Sequence, residues 1–484
     1  MSVLSLVVVG LLLYWFLKRY IRPRNFPPGP PSIPILGSLP FLPQEAMATG
    51  ILWKHFKSKY GKIMGMMIGD QHVIGIYDFD LIKEAYSKEE FCARPNSKLH
   101  DFRMLGKKRG IVMNDGYGWK VHRRFTLKTL KDFGFGNACV EDGILEEANH
   151  ICDHIAKKNA APFKAEDVFN VGILNIMWKI LTHKRFDLED PRLANCVRAI
   201  NGQFSSDRVR IVLAMPWTRH LFPEMSGWND WKRFAVTMQD MTKQILDEHE
   251  PCYGPNQEPL DFITAYKEEA KRTGDPEFND LDLQTTIADI FVASSDTTAH
   301  TLSWGLLYMI LHPEIQKKVQ NEIDDTLSGR EPNLEDRARL VYTDATLAEI
   351  QRRANIVPGA LPHRVTKDMM LGGYSIPKDS MVISSLYYVM HDPEYWKNAD
   401  QFDPTRFIEN GKFRKDERFV PFGIGKRICL GDTLARNELF IVFTRLMQRF
   451  NFEASPDHPF PKEEYLPSTV MGPKPFYLRA IPRA

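Results

Sequence analysis

The sequence predicts a mainly α fold with small β-sheets, built as a single large catalytic domain. Three observations carry that prediction. Most of the chain has helical periodicity, and its longest apolar-rich run, from about Asp282 to Leu311, stops just before Pro313 and would give roughly 45 Å of helix. Strand patterns are few, short and bounded by turn residues. From Leu36 onward there is no internal repeat, low-complexity tract or second proline-rich linker. At 484 residues, 43% hydrophobic and 26% charged, the chain is long enough to bury an interior cavity. Its formal charge of +2 gives no reason to expect a nucleic-acid partner, so any basic surface must be local. Six cysteines lie far apart with no CxxC pair, which argues against a disulfide framework or a zinc site and for a reducing compartment.

Taken in order, the chain opens with VLSLVVVGLLLYWFL (Val3 to Leu17), uncharged and almost wholly apolar, followed by Lys18, Arg19, Arg22 and Arg24. Helical residues 1–21 would span roughly 31 Å, close to the ~30 Å hydrocarbon core of a bilayer. The basic residues follow the apolar run and no A-x-A cleavage site is present, so an uncleaved transmembrane anchor is expected, with the positive flank and the body of the protein on the cytosolic side. Residues 22–35 carry Pro27, Pro28, Pro30, Pro31 and Pro34, a stiff hinge that cannot continue the helix. Residues 36–484 form the expected catalytic domain. Lys62 to Tyr77 reads as a hairpin turning at Gly69-Asp70, and Met369 to Ser384 as two more short strands with turns at Gly372-Gly373 and Pro377-Lys378-Asp379.

FVPFGIGKRICLG (Phe419 to Gly431) sets one thiol, Cys429, in a glycine-rich cationic loop. Gly423 and Gly425 permit a tight backbone that turns amides towards sulfur, and the helical run after Gly431 puts Cys429 near a helix N-terminus, which stabilises an anion. A thiolate held this way is a good axial ligand for haem iron, and Arg427 is within reach of a haem propionate. Phe422, Gly425, Arg427, Cys429 and Gly431 reproduce F-x-x-G-x-R-x-C-x-G, and in this the chain resembles the cytochrome P-450 enzymes. Glu349 to Arg352 is similar to the family's E-x-x-R, Phe402 to Phe407 to its F-x-P-x-R-F, and Trp119 to Arg123 to its W-x-x-x-R. The resemblance covers nearly the whole chain. The anchor, the hinge and the CARP and LKDFGFG segments are similar to the microsomal branch that oxidises drugs, steroids and fatty acids.

The resemblance implies the cytochrome P-450 fold and haem b bound through Cys429. Phe422 and Arg427 would belong to the haem-binding loop, and Arg94, Trp119, Arg123, His363 and Arg427 would neutralise the propionates. Glu349 and Arg352 share a helix face by spacing, and Arg406 would complete a buried charge network with a structural role. In FVASSDTTAH (Phe291 to His300), Asp296 beside Thr297 puts an acid next to a hydroxyl, the parts of a proton relay, so both are candidate catalytic residues. Against the family's A-G-x-[DE]-T-T, Ser294 replaces the usual glycine, which narrows the pocket or bonds a water.

Lys120, Arg124, Lys128 and Lys131 form one basic stripe. By resemblance this stripe, extended by Lys426, would dock NADPH–cytochrome P-450 reductase, with cytochrome b5 as a second possible donor. Endoplasmic reticulum membrane and a lipophilic small molecule complete the expected partners. The substrate pocket, placed by similarity, would draw on Asp101 to Met113, Phe204 to Met215, Phe291 and Ala293, Ile356 to Leu361, and Ser468 to Met471. LFPEMSGW (Leu221 to Trp228) either dips into the bilayer or is buried. The leading expectation is a membrane-anchored haem-thiolate monooxygenase. A peroxide-rearranging haem enzyme, a haem or lipid carrier, and a zinc enzyme built on Asp247 to Glu250 are the alternatives. The retained acid–alcohol pair argues against the first two, and the lack of a second ligand cluster against the third.

Overall fold

A computed structural model describes residues 22–42, 53–133, 138–185, 195–200, 202, 207–254, 256–466 and 468–483. The expected anchor at residues 1–21 lies outside them, as do Gly134 to Gly136 and Phe204. Among the described residues no helix is long and apolar enough to cross a membrane. The principal helices are α1 (Phe79–Ser87), α2 (Gly116–Asp132), α3 (Ala138–Ala156), α4 (Glu166–Thr182), α5 (Trp228–Asp247), α6 (Phe262–Thr273), α7 (Asp280–Leu311), α8 (Pro313–Leu327), α9 (Val341–Ala354) and α10 (Asp432–Arg449).

The longest helix, α7, begins two residues before the sequence expectation because Asn279 caps it, its side chain accepting from the Asp282 amide at 3.1 Å. It ends at Leu311 because Pro313 cannot donate to the preceding turn. Apolar residues on most of its faces make it the axis of the main core. Leu302, Trp304, Leu306 and Leu307 are buried with Ile350 of α9 and Phe443 of α10, and Phe291 lies edge-on to Trp178 of α4.

Strands β1 (Ile63–Ile68) and β2 (Gln71–Ile76) form the hairpin expected at Gly69-Asp70. β3 (Phe163–Lys164) follows α3, and β4 (His363–Arg364) follows α9. The segment read as two strands holds three: β5 (Met369–Leu371) and β6 (Tyr374–Ile376) pair across Gly372-Gly373, and β7 (Met381–Ser384) leaves them to run parallel to β2. A local pattern marks a strand but cannot reveal that its partner lies 300 residues away. The main sheet therefore runs β1-β2-β7-β4. β8 (Ile408–Glu409) pairs with β9 (Lys412–Phe413), while β10 (Phe450–Ala454) and β11 (Tyr477–Pro482) join β3 in a three-stranded sheet.

The proline-rich segment is docked as well as stiff. The Gly65 amide donates to the Pro28 carbonyl at 2.9 Å, and a Cβ on Gly29 would lie 1.9 Å from the Gly65 carbonyl oxygen. Glycine at 29 is what lets the segment lie along β1.

Candidate functional site

The loop carrying Cys429 is shaped by two glycines with φ near +79°, Gly423 and Gly425. At Gly425 a Cβ would come within 2.4 Å of the Tyr86 carbonyl oxygen, so glycine is required there for space as well as for backbone angle. This contact fixes the loop against the end of α1. The Cys429 amide donates to the Phe422 carbonyl at 2.9 Å, closing the loop on itself, and α10 starts three residues later. Cys429 is solvent-accessible, yet burial still pushes its thiol up, with the Gly431 amide and the Arg123 charge pulling the other way.

Basic groups converge beside it. Arg123, in α2, donates to the Ile428 carbonyl at 2.7 Å, next to the cysteine. Arg427 donates to Cys92 and Asn114 carbonyls at 2.8 and 2.7 Å and lies 3.8 Å over the Trp119 ring. Arg94 is buried and donates to Val112, Leu361 and Pro362 carbonyls at 2.9–3.0 Å. These guanidiniums meet carbonyl dipoles, while the nearby Asp115 is engaged by Lys108 at 2.6 Å and Arg364 at 3.1 Å. Burial and mutual repulsion lower Arg427 to about 9 and Arg94 to about 10. Trp119 has a buried indole N–H with no hydrogen-bond partner. His363 is stacked on Tyr86 with ring centroids 4.0 Å apart, its Nδ1–H donating to the Phe91 carbonyl at 2.7 Å. Burial and then Arg94 hold that imidazole neutral, so a second proton on it needs an anion alongside.

Across the core, the turn Phe291–Thr298 of α7 is buried on both flanks, yet Ala293 is exposed and Val292, Ser294 and Thr297 are half-exposed. Thr297 Oγ1 donates to the Ala293 carbonyl at 2.9 Å and Ser294 Oγ to the Phe291 carbonyl at 3.3 Å. The helix stays α through this turn despite both back-bonds. Asp296 is buried and takes a hydrogen bond from Ser295 Oγ at 3.1 Å, and burial raises it to about 6. Thr298 Oγ1 reaches across to Glu438 of α10 at 3.2 Å, tying the acid–alcohol turn to the helix that starts at the cysteine loop.

The expected structural residues form one buried cluster. Arg352 pairs with Glu349 through two hydrogen bonds of 2.7 and 2.9 Å, both side chains fully buried. Arg406 adds a bond to Glu349 at 3.1 Å, and the Asp403 amide another at 3.0 Å. Arg352 also donates to Met390 and Ala399 carbonyls, and removing Glu349 would leave this fully buried guanidinium without its carboxylate at a cost of ~3–5 kcal/mol.

A family model described as Cytochrome P-450 matches residues 27–480. The chain belongs to the cytochrome P-450 family. It is 38% identical to cytochrome P-450 2J2 of Homo sapiens over 456 residues, covering 92% of this chain and 89% of that protein. Cytochrome P-450 2J1 of Oryctolagus cuniculus is 35% identical, with 99% and 96% covered. Farnesoate epoxidase of Bombyx mori is 31% identical, with 99% of each chain covered. The protein is therefore a cytochrome P-450 monooxygenase with the mainly helical fold of that family. Family membership implies haem with a thiolate iron ligand, and the residues present fit that group. Arg94, Arg123 and Arg427 bring positive charge to the cysteine loop, the buried Trp119 indole N–H has no hydrogen-bond partner, and the Cys429 thiol is accessible.

Three site residues escaped the sequence reading. Asp289, in α7, accepts from the Ile111 and Val112 amides at 2.8 Å each and from Arg103 at 2.7 Å, which holds residues 103–112 against α7. Its signal was available: it lies two turns before Asp296 on the same face. Glu438 gave none, since a glutamate in a helix is ordinary until α7 is packed on it. Arg364, paired with Asp115, likewise depends on a long-range contact. The Asp247–Glu250 segment is a helix end, with His249 at 3.3 Å from Asp261 and 3.1 Å from Thr264.

Proposed function

We propose that this cytochrome P-450 inserts one oxygen atom of O2 into a lipophilic small molecule, with Cys429 as the axial iron ligand and electrons from NADPH delivered by a reductase. The observation that carries the reading is a single one. Thr298–Glu438 ties the acid–alcohol turn of α7, where Ala293 and Thr297 stay accessible, to the helix that follows the cysteine loop with its accessible thiol and convergent guanidiniums. Haem, when bound, supplies the reductive activation of dioxygen and the oxygen transfer. Arg94, Arg123 and Arg427 would hold its propionates, with Trp119 and His363 beside them, and Phe422 would pack in the loop. Asp296, raised to about 6, can take up and release a proton close to neutral pH, and Thr297 presents a hydroxyl in the adjacent position through which that proton would pass.

The basic stripe supports reductase docking, with cytochrome b5 as a second donor. Lys120, Arg124, Lys128 and Lys131 are all exposed on α2. Lys120 pairs with Glu89, which also feels Lys426, so the stripe is continuous with the cysteine loop. Residues 1–21 would anchor the chain in the endoplasmic reticulum membrane with residues 36–484 on the cytosolic face, and residues 22–35 would set its tilt. Leu221, Phe222 and Met225 are 52–70% exposed, which favours contact with the bilayer over burial. Steroids, terpenoids, fatty acids and xenobiotics are the candidate substrates. Likeness to an enzyme named farnesoate epoxidase puts isoprenoid acids first in a screen.

The test uses purified protein with reductase and NADPH. A red-shifted Soret band in the reduced, carbon-monoxide-treated protein, lost in Cys429→Ala, together with NADPH-dependent oxygenation of at least one panel member, is the expected result. A band that persists in Cys429→Ala would overturn the ligand assignment.

A further inference from the structure

We propose that His122, Glu277 and Asp282 form a binding site for a divalent transition-metal ion, separate from the haem pocket, at the junction of α2 with the start of α7. One ligand atom from each of the three lies within 4.8 Å of the others. His122 is fully buried, and neither ring nitrogen has a hydrogen-bond partner. Asp282 is 1% exposed; its Oδ2 takes the Arg109 guanidinium, while its Oδ1 has no hydrogen bond and sits 3.7 Å from His122 Nε2. That separation is too long for a hydrogen bond. It is close to the ~3.4 Å between two ligands of a tetrahedral ion bound at ~2.1 Å. Two buried polar atoms left face to face without a bridge are destabilising, and an ion between them would satisfy both.

Glu277 completes the set, and a glycine makes room for it. A Cβ on Gly118, one turn before His122 on the same face of α2, would lie 2.5 Å from Glu277 Oε2. The imidazole is gripped by aromatic rings, stacked on Tyr266 at 5.9 Å and edge-on to Phe278 at 5.5 Å, so its direction is fixed. The cluster offers two carboxyl groups and one imidazole against the single guanidinium of Arg109. Asp280 adds to the field felt by the neighbouring Tyr266. One nitrogen and carboxylate oxygens suit zinc or manganese better than a thiophilic ion. Such an ion would pin α2 to α7 from the face adjoining Trp119 and Arg123, steadying the helix that carries them.

The experiment takes untagged haem-loaded protein, strips adventitious metal with a chelator, dialyses against micromolar Zn2+, and counts zinc against haem iron by mass spectrometry. Wild type should retain about one zinc per iron and show a rise in Tm on adding Zn2+. His122→Phe, which keeps the ring packing, should weaken zinc retention at least tenfold and abolish the Tm rise while keeping the thiolate Soret band. Glu277→Gln, at the half-buried rim, gives a second comparison should His122→Phe lose haem. No zinc retained by wild type, or equal retention in the variants, would overturn the site and leave His122–Asp282 a simple ion pair.

Discussion

Asp296 is the residue whose environment says most about what it does. Burial raises its carboxyl from 3.8 to about 6, a shift on the order of 2 pH units or about 3 kcal/mol. Between those two values the folded chain holds a proton that the unfolded chain has released, so this residue's contribution falls as pH rises through the window and stays lost above it. Asp296→Asn should therefore stabilise the fold by up to about 3 kcal/mol at pH 8 and by little at pH 4, measured by chemical denaturation at each pH. The same variant should lose about 100-fold in oxygenation rate while NADPH consumption persists, measured as product per NADPH. Equal loss of both would instead place the residue in electron delivery. The identity and pairing of Asp296 and Thr297 were readable in the sequence, because adjacent residues need no fold to be adjacent. Its perturbed acidity was not, since burial comes from α10 and the rest of the core. Glu438, raised to about 8 by burial, was invisible for the same reason.

At the scale of an element, the cysteine loop and α2 work through backbone geometry and charge spacing. Gly423 and Gly425 have the same positive φ, but their surroundings differ: open space at Gly423, the Tyr86 carbonyl at Gly425. Gly423→Ala should cost about 1 kcal/mol from backbone strain alone. Gly425→Ala should cost several times more and lower the fraction of chains showing the thiolate Soret band, since the clash is with a backbone atom that has little room to move. Along α2, the charge-reversing pair Arg124→Glu and Lys128→Glu should slow reductase-supported turnover about tenfold at low salt, with the difference shrinking as ionic strength rises. Turnover driven by an organic hydroperoxide, which bypasses the reductase, should not change; a matching loss there would point to damage in the fold. The helical spacing that aligned the stripe and the E-x-x-R pair was legible, because i, i+3 and i+4 neighbours are fixed by the helix itself. The destination of β7 was not, because its partner β2 is set by the whole sheet.

At the scale of the whole molecule, Thr298–Glu438 links the acid–alcohol turn of α7 to the helix that follows the cysteine loop, and an apolar patch around Leu221, Phe222 and Met225 is exposed. If that patch meets lipid, Leu221→Ser, Phe222→Ser and Met225→Ser combined in protein lacking residues 1–21 should reduce partitioning to phospholipid vesicles at least tenfold, read by co-sedimentation. Unchanged partitioning would assign these residues to another surface role. The order of elements, the long central helix, the cysteine loop and the pairing of neighbours on one helix were all determined by the sequence, since each depends on residues within a few turns of one another. Which carbonyls receive Arg94 and Arg427, how Asp289 clamps residues 103–112, and which acids lose their charge were decided only by tertiary structure. Those contacts join positions far apart along the chain, and no local pattern encodes the desolvation that the packed core imposes on them.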